Sequence, residues 1–316
     1  LSVRQSAAQP LHAPSLEKHS DAYQTARSLL PRAFAEYDST RFIVFSNADA
    51  HWTRSHAGHL ERTHHQFMRM VNRLGLQPEP LRHKLVCIVF AKHAEFLDFA
   101  SLHDGVDDPW VTGYYSPKHD WIAFYNPGQG PAVNDARSQI GEMNNELEAL
   151  ATEARQASRQ GQLGHARLLG QELAASRQHV SKQERLLEAY ARTEGIATTT
   201  HEATHMLMYH SNLQSRQVGY PLWVSEGLAT CFETSTPNQA FGPDREYQPR
   251  LSRFRETLAD DALLPLRSLI TLDRLDGLPE SKIDVVYHQS YALIAWMSRF
   301  RQDQLRRYLE TMRLQP

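Results

Sequence analysis

The sequence predicts an α+β fold in three parts: a small mixed β-sheet subdomain with helices, a long antiparallel helical hairpin inserted after it, and a mainly helical half. Three observations carry this. Short β-branched and aromatic runs alternate with helical stretches up to about residue 130. Two heptad stripes separated by a glycine-containing turn follow. From Ile196 onward the apolar spacing is helical, and that stretch contains the pattern H-E-x-x-H. The expected segments are a leader and first helix over 1–40, an α/β subdomain over 41–130, the hairpin over 131–190, and a helical half over 191–316.

In chain order, residues Leu1 to about Ser20 lack apolar periodicity and read as a loose leader, followed by a helix around Ala22–Glu36. Arg41–Ser46 and Leu85–Phe90 read as strands. Between them Leu60, Phe67, Met70 and Val71 suit a helix over Ala57–Arg73 closed by Gly75, and Ala94–Ala100 suits a short one. Val111–Tyr115 and Trp121–Tyr125 flank a five-residue loop and read as a hairpin. The first heptad stripe runs through Val133, Ala136, Ile140, Met143, Leu147, Leu150, Ala154 and Ala157. After Gly161 and Gly164 the second runs through Ala166, Leu169, Leu173, Ser176, Val180, Gln183, Leu187 and Tyr190. Two such stripes describe an antiparallel pair of helices, which is either a strut or a docking place for a protein partner. Helices are expected over Ala197–His210, Pro221–Thr234, Tyr247–Leu258, Leu264–Ile270, Val285–Phe300 and Gln302–Met312.

Composition excludes several classes. The chain has 316 residues, 41% hydrophobic and 22% charged, and a net charge of -2. These are ordinary globular values and give no electrostatic reason for nucleic acid as a partner. No apolar run approaches the roughly 18 residues of a membrane span. Cys87 and Cys231 lie in apolar patterns and read as buried thiols. The chain begins at Leu1, which fits a removed secretory signal and a periplasmic or secreted location.

The chemistry lies in His201-Glu202-Ala203-Thr204-His205. On a helix, side chains four apart share a face, so both imidazoles can reach one ion. Glu202 lies beside them, able to take a proton from a water on that ion. With 17 His in the chain, chance gives such a pattern roughly 0.06 times, so a third ligand is needed. Pro221-Leu222-Trp223-Val224-Ser225-Glu226-Gly227-Leu228-Ala229 supplies a candidate: Glu226 projects from a second helix. Two histidines and a glutamate with a fourth place open suit a catalytic zinc, one per chain.

H-E-x-x-H followed by W-x-x-E-G-L-A resembles the gluzincin zinc peptidases, especially the alanyl-aminopeptidase type. That resemblance implies hydrolysis of peptide bonds in a peptide or protein substrate, with His201, His205 and Glu226 on zinc and Glu202 as general base. Val285-Val286-Tyr287-His288-Gln289-Ser290 looks like the family's Y-x-K-G segment, with Gln289-Ser290 in place of Lys-Gly. By that likeness Tyr287, with His288 as second choice, donates a hydrogen bond to the developing oxyanion. The amine-gripping G-x-M-E-N segment has no counterpart, because Gly141-Glu142-Met143-Asn144-Asn145 has the letters in another order and falls on the hairpin surface. The Phe42–Ser46 and Leu85–Phe90 strands and Gly113-Tyr114-Tyr115 also resemble a bacterial gluzincin-like family of unknown function, numbered 1570. By family analogy Trp121–Tyr125 is the edge strand that holds an extended peptide.

Other residues have smaller expectations. Glu233 and Thr230 suit partners for a ligating imidazole. His210 is expected to cap its helix. His51, His56, His59, His64 and His65 are expected on a solvated helix face, and Arg250, Arg253 and Arg255 on a charged one. Two alternatives to a peptidase stay open: a catalytically silent scaffold acting through the hairpin, and a zinc hydrolase of a non-peptide amide.

Overall fold

The computed structural model describes residues 16–216, 218–275 and 277–314. Most of the expected leader lies outside them. Its described end is tied down: the Glu17 backbone bonds Arg82 and Lys84, and the Ser20 hydroxyl caps helix α1 (Asp21–Leu29).

The expected helix Ala22–Glu36 stops early, at Leu29, because Pro31 disfavours helical geometry in the residue before it. Leu30 is extended, and the chain then forms β1 (Ala35–Asp38). This strand pairs antiparallel with β2 (Phe42–Ser46). Helix α2 (Ala50–Leu74) begins earlier than apolar spacing suggests, because Asp49 accepts the Trp52 N–H at 2.8 Å as an N-cap. Gly75 closes it at φ 69°, a left-handed geometry that glycine adopts without cost.

β3 (Leu85–Phe90) runs parallel to β2, and helix α3 (His93–Asp104) leads to β4 (Gly113–Ser116) and β5 (Trp121–Tyr125). β5 is parallel to β3 and antiparallel to β4, which gives the order β1-β2-β3-β5-β4. Trp121–Tyr125 is therefore interior, and the edge strand on its side of the sheet is β4, a correction to the expected assignment. The physical reason is burial on both faces: all five residues of β5 are buried, whereas β4 is mostly half-buried. Side chains alternate between two cores. Phe42, Val44, Cys87, Val89, Ile122 and Phe124 face the helical half, and Ile43, Phe45, Val86, Ile88, Trp121 and Ala123 face α1 and α3. Cys87 and Cys231 are both buried free thiols.

Helix α4 (Pro131–Arg159) and helix α5 (Leu163–His210) form the hairpin, turning at Gly161 with φ 74°. Val133, Ala157, Leu169 and Val180 of the two stripes are buried, and the other stripe positions except Tyr190 are half-buried. Its second arm does not end before the H-E-x-x-H segment. α5 is one helix of 48 residues, about 70 Å long at 1.5 Å per residue. It passes α2 at Gly195, where an added Cβ would meet His56, Pro127 and Trp52 at 3.3–3.4 Å.

The histidines of α2 divide. His51 and His65 are exposed as expected, but His56 and His59 are buried. His56 stacks on Trp52 with ring centroids 3.6 Å apart. Burial lowers the pKa of His56 to about 4 and of His59 to about 3, so both are neutral packing groups.

The remaining chain is helical: α6 (Leu222–Cys231), α7 (Gln248–Ala259), α8 (Leu266–Thr271), α9 (Glu280–Phe300) and α10 (Gln302–Leu314). The whole is an α+β fold. Among the described residues no helix is long and apolar enough to cross a membrane.

Candidate metal centre

His201 and His205, one turn apart on α5, point their Nε2 atoms at each other across 3.1 Å. α6 brings Glu226 opposite: Oε2 lies 3.2 Å from His201 Nε2 and Oε1 3.5 Å from His205 Nε2. Behind His201, Glu233 Oε1 accepts from Nδ1 at 3.0 Å. With Nδ1 donating there, a neutral His201 ring presents the Nε2 lone pair to the same point as His205 and the Glu226 carboxylate.

That convergence tests whether a metal fits. A tetrahedral ion about 2.0–2.1 Å from nitrogen sets its donors about 3.3 Å apart; the two nitrogens are 3.1 Å apart, and each has a Glu226 oxygen at 3.2 or 3.5 Å. Electrostatics agree. Burial opposes a charge on His201, yet Glu226 and Glu233 push its pKa up to about 10. Glu226 is held well below the usual carboxyl range, against its burial, by His205 and His201. The pocket calls for positive charge where the three donors meet, and the donor set suits a divalent cation.

Glu233 is itself clamped, accepting from Arg250 Nε at 2.7 Å and Nη2 at 2.6 Å. This corrects the expectation for Arg250, which faces inward onto a buried carboxylate. Arg253 and Arg255 are exposed as expected. Thr230 is occupied elsewhere than the expected imidazole: its hydroxyl donates to the Glu226 and Gly227 carbonyls. His210 is likewise no simple cap, since its Nε2 lies 2.8 Å from Asp120 Oδ1.

Glu202 lines a cleft of about 1160 Å³ together with Thr112, Gly113, His201, Tyr287 and His288. Burial raises its pKa, and this is partly offset by His201, His205 and a hydrogen bond from the Tyr115 backbone on β4. The sheet edge is thus next to the H-E-x-x-H face. At Gly113 an added Cβ would meet Thr198 of α5 at 2.7 Å, so a side chain there would push β4 off the helix.

α9 supplies Tyr287 and His288. The Tyr287 ring is 6.4 Å from His201, and the Arg250 guanidinium lies 5.6 Å over it. The Glu226 charge, then burial, keep its hydroxyl protonated far above the ordinary range. His288 is held neutral by burial, and its buried Nδ1 has no hydrogen-bond partner.

Gly227 sets the distance between α6 and α9. A Cβ there would lie 2.8 Å from Ile294 Cγ1 and 2.9 Å from the Ser290 carbonyl oxygen. Gly227→Ala is expected to force the helices apart and cost about 1–3 kcal/mol, seen as a lower thermal unfolding midpoint. An unchanged midpoint would show that the contact is not close.

The site is thus of a definite class: two imidazoles a turn apart, a carboxylate from a second helix, and a half-buried glutamate on a cleft. Residues 195–316 match the model of a protein family described as a protein of unknown function, DUF1570. The matched stretch contains His201, Glu202, His205, Glu226, Glu233, Tyr287 and His288. The β2 and β3 strands and the Gly113-Tyr114-Tyr115 hairpin, from which likeness to this family was expected, lie outside it. A comparison with curated proteins gave no match.

Proposed function

We propose that this chain is a zinc-dependent peptidase of the gluzincin type, with His201, His205 and Glu226 holding one zinc ion and Glu202 serving as general base. The observation that carries it is the convergence of two imidazole nitrogens and a carboxylate oxygen within 4.8 Å of one another, beside the half-buried Glu202 carboxylate on the cleft. Zinc in such a site acts as a Lewis acid toward a carbonyl and lowers the pKa of water.

The chain's own residues do the rest. Glu202, its pKa raised by burial, takes a proton from the attacking water and passes it to the leaving amine. Tyr287 donates a hydrogen bond from its hydroxyl to the developing oxyanion, with His288 as the second candidate. Glu233 fixes the His201 ring through Nδ1. An extended peptide adds as a further strand to β4, the edge strand, rather than to β5.

The test is zinc content of the purified protein together with cleavage of a peptide library. Loss of about one zinc per chain, together with the cleavage, is the expected result in Glu226→Ala. A Glu226→Ala protein that keeps the wild-type zinc content and the wild-type cleavage would sink the assignment.

A further inference from the structure

A second set of metal-ligand atoms lies just beyond His205, where the same helix ends. His83 precedes β3, Asp120 closes the turn between β4 and β5, and His210 is the last residue of α5. One ligand atom from each lies within 4.8 Å of the others. His210 Nε2 is 2.8 Å from Asp120 Oδ1, and His83 Nε2 is 3.7 Å from Asp120 Oδ2. The two rings meet edge to face with centroids 5.4 Å apart. All three side chains are partly shielded, with exposures of 28%, 21% and 11% for His83, Asp120 and His210. None belongs to the cleft or to the site of the proposed reaction.

We infer that His83, Asp120 and His210 form a second divalent-cation site, of the zinc class, that pins the turn after the sheet edge to the end of the H-E-x-x-H helix. Two imidazoles and a carboxylate are the donors such an ion takes. Asp120 has the outer support that ligating carboxylates have. Its Oδ1 accepts from the Tyr115 hydroxyl at 2.9 Å and from Arg216. Those bonds fix the carboxylate between the two rings, with Oδ1 toward His210 and Oδ2 toward His83. The backbone aids this: Asp120 has φ 60°, and its N–H donates to the Ser116 carbonyl at 2.8 Å. The three donors come from segments remote in sequence, so an ion there joins the sheet to the helix. A set of hydrogen bonds alone would hold the same residues without taking up metal.

The experiment is zinc loading of the full chain followed by desalting. It is run on wild type, His83→Ala, Asp120→Asn, and a His205→Ala/Glu226→Ala variant that removes the first site. About two zinc ions per wild-type chain are expected, and about one in each single variant. The His205→Ala/Glu226→Ala protein should keep about one zinc, lose it when His83→Ala is added, and show a zinc-dependent rise in unfolding temperature that disappears with it. The same zinc content in His83→Ala and Asp120→Asn as in wild type overturns the site. So does a folded His205→Ala/Glu226→Ala protein that takes up no zinc. Because that variant lacks the first site, failure of the second is read separately from failure of the peptidase assignment.

Discussion

Glu202→Gln should lose about 10²–10⁴-fold of the peptide cleavage rate and keep its zinc. The amide has nearly the shape of the carboxylate, so the packing of α5 beneath the cleft is preserved. It has no basic oxygen to take the proton of an attacking water. Glu202 is also outside the converging donor set, which consists of His201, His205 and Glu226. Loss therefore belongs to the chemical step, and kcat should fall with little change in KM. Single-turnover cleavage of a fluorogenic peptide beside metal analysis measures both. A variant that cleaves at the wild-type rate removes Glu202 from the mechanism. One that loses zinc along with activity makes it a determinant of metal binding instead.

The three donors were legible because their geometry is local. His201 and His205 share a helix face by a spacing of four, and Glu226 stands in a segment with its own helical punctuation at Pro221. The hairpin was legible for the same reason, since the stripe positions from Val133 to Leu187 are those that the two arms shield from water. What stayed hidden depends on pairing. β1 is four mostly exposed residues with no alternation to reveal it, and only the neighbouring β2 makes it a strand. Strand order is equally non-local. The unbroken apolar run Trp121–Tyr125 did carry a signal, since a strand without alternation belongs in a sheet interior, and that signal ranks it inside β4.

Buried ionic contacts were the least legible. Arg250 looks like one of three arginines on a helix face, and only the fold turns it toward Glu233. His210 and Asp120 are 90 positions apart, and neither has a motif. His56 and His59 show how little a histidine cluster says by itself: the helix rotates these two into the core beside Trp52, where burial keeps them uncharged.

Glu233→Ala should damage both stability and metal binding, and the two losses should separate. Glu233 is 6% exposed and serves two partners at once, the His201 imidazole and the Arg250 guanidinium. Removing it leaves Arg250 shielded from water without its counter-charge, which costs about 3–5 kcal/mol. It also frees the His201 ring to turn and removes the acceptor that sets its tautomer, which lowers metal affinity by about 10–100-fold. Adding Arg250→Met removes the stranded charge while leaving His201 without its acceptor. The double variant should therefore regain much of the lost stability in urea unfolding and keep the weakened hold on zinc in competition with a chelator. If affinity recovers together with stability, Glu233 acts on the metal only through folding. If Glu233→Ala binds zinc as tightly as wild type, the carboxylate behind His201 neutralises Arg250 and nothing more.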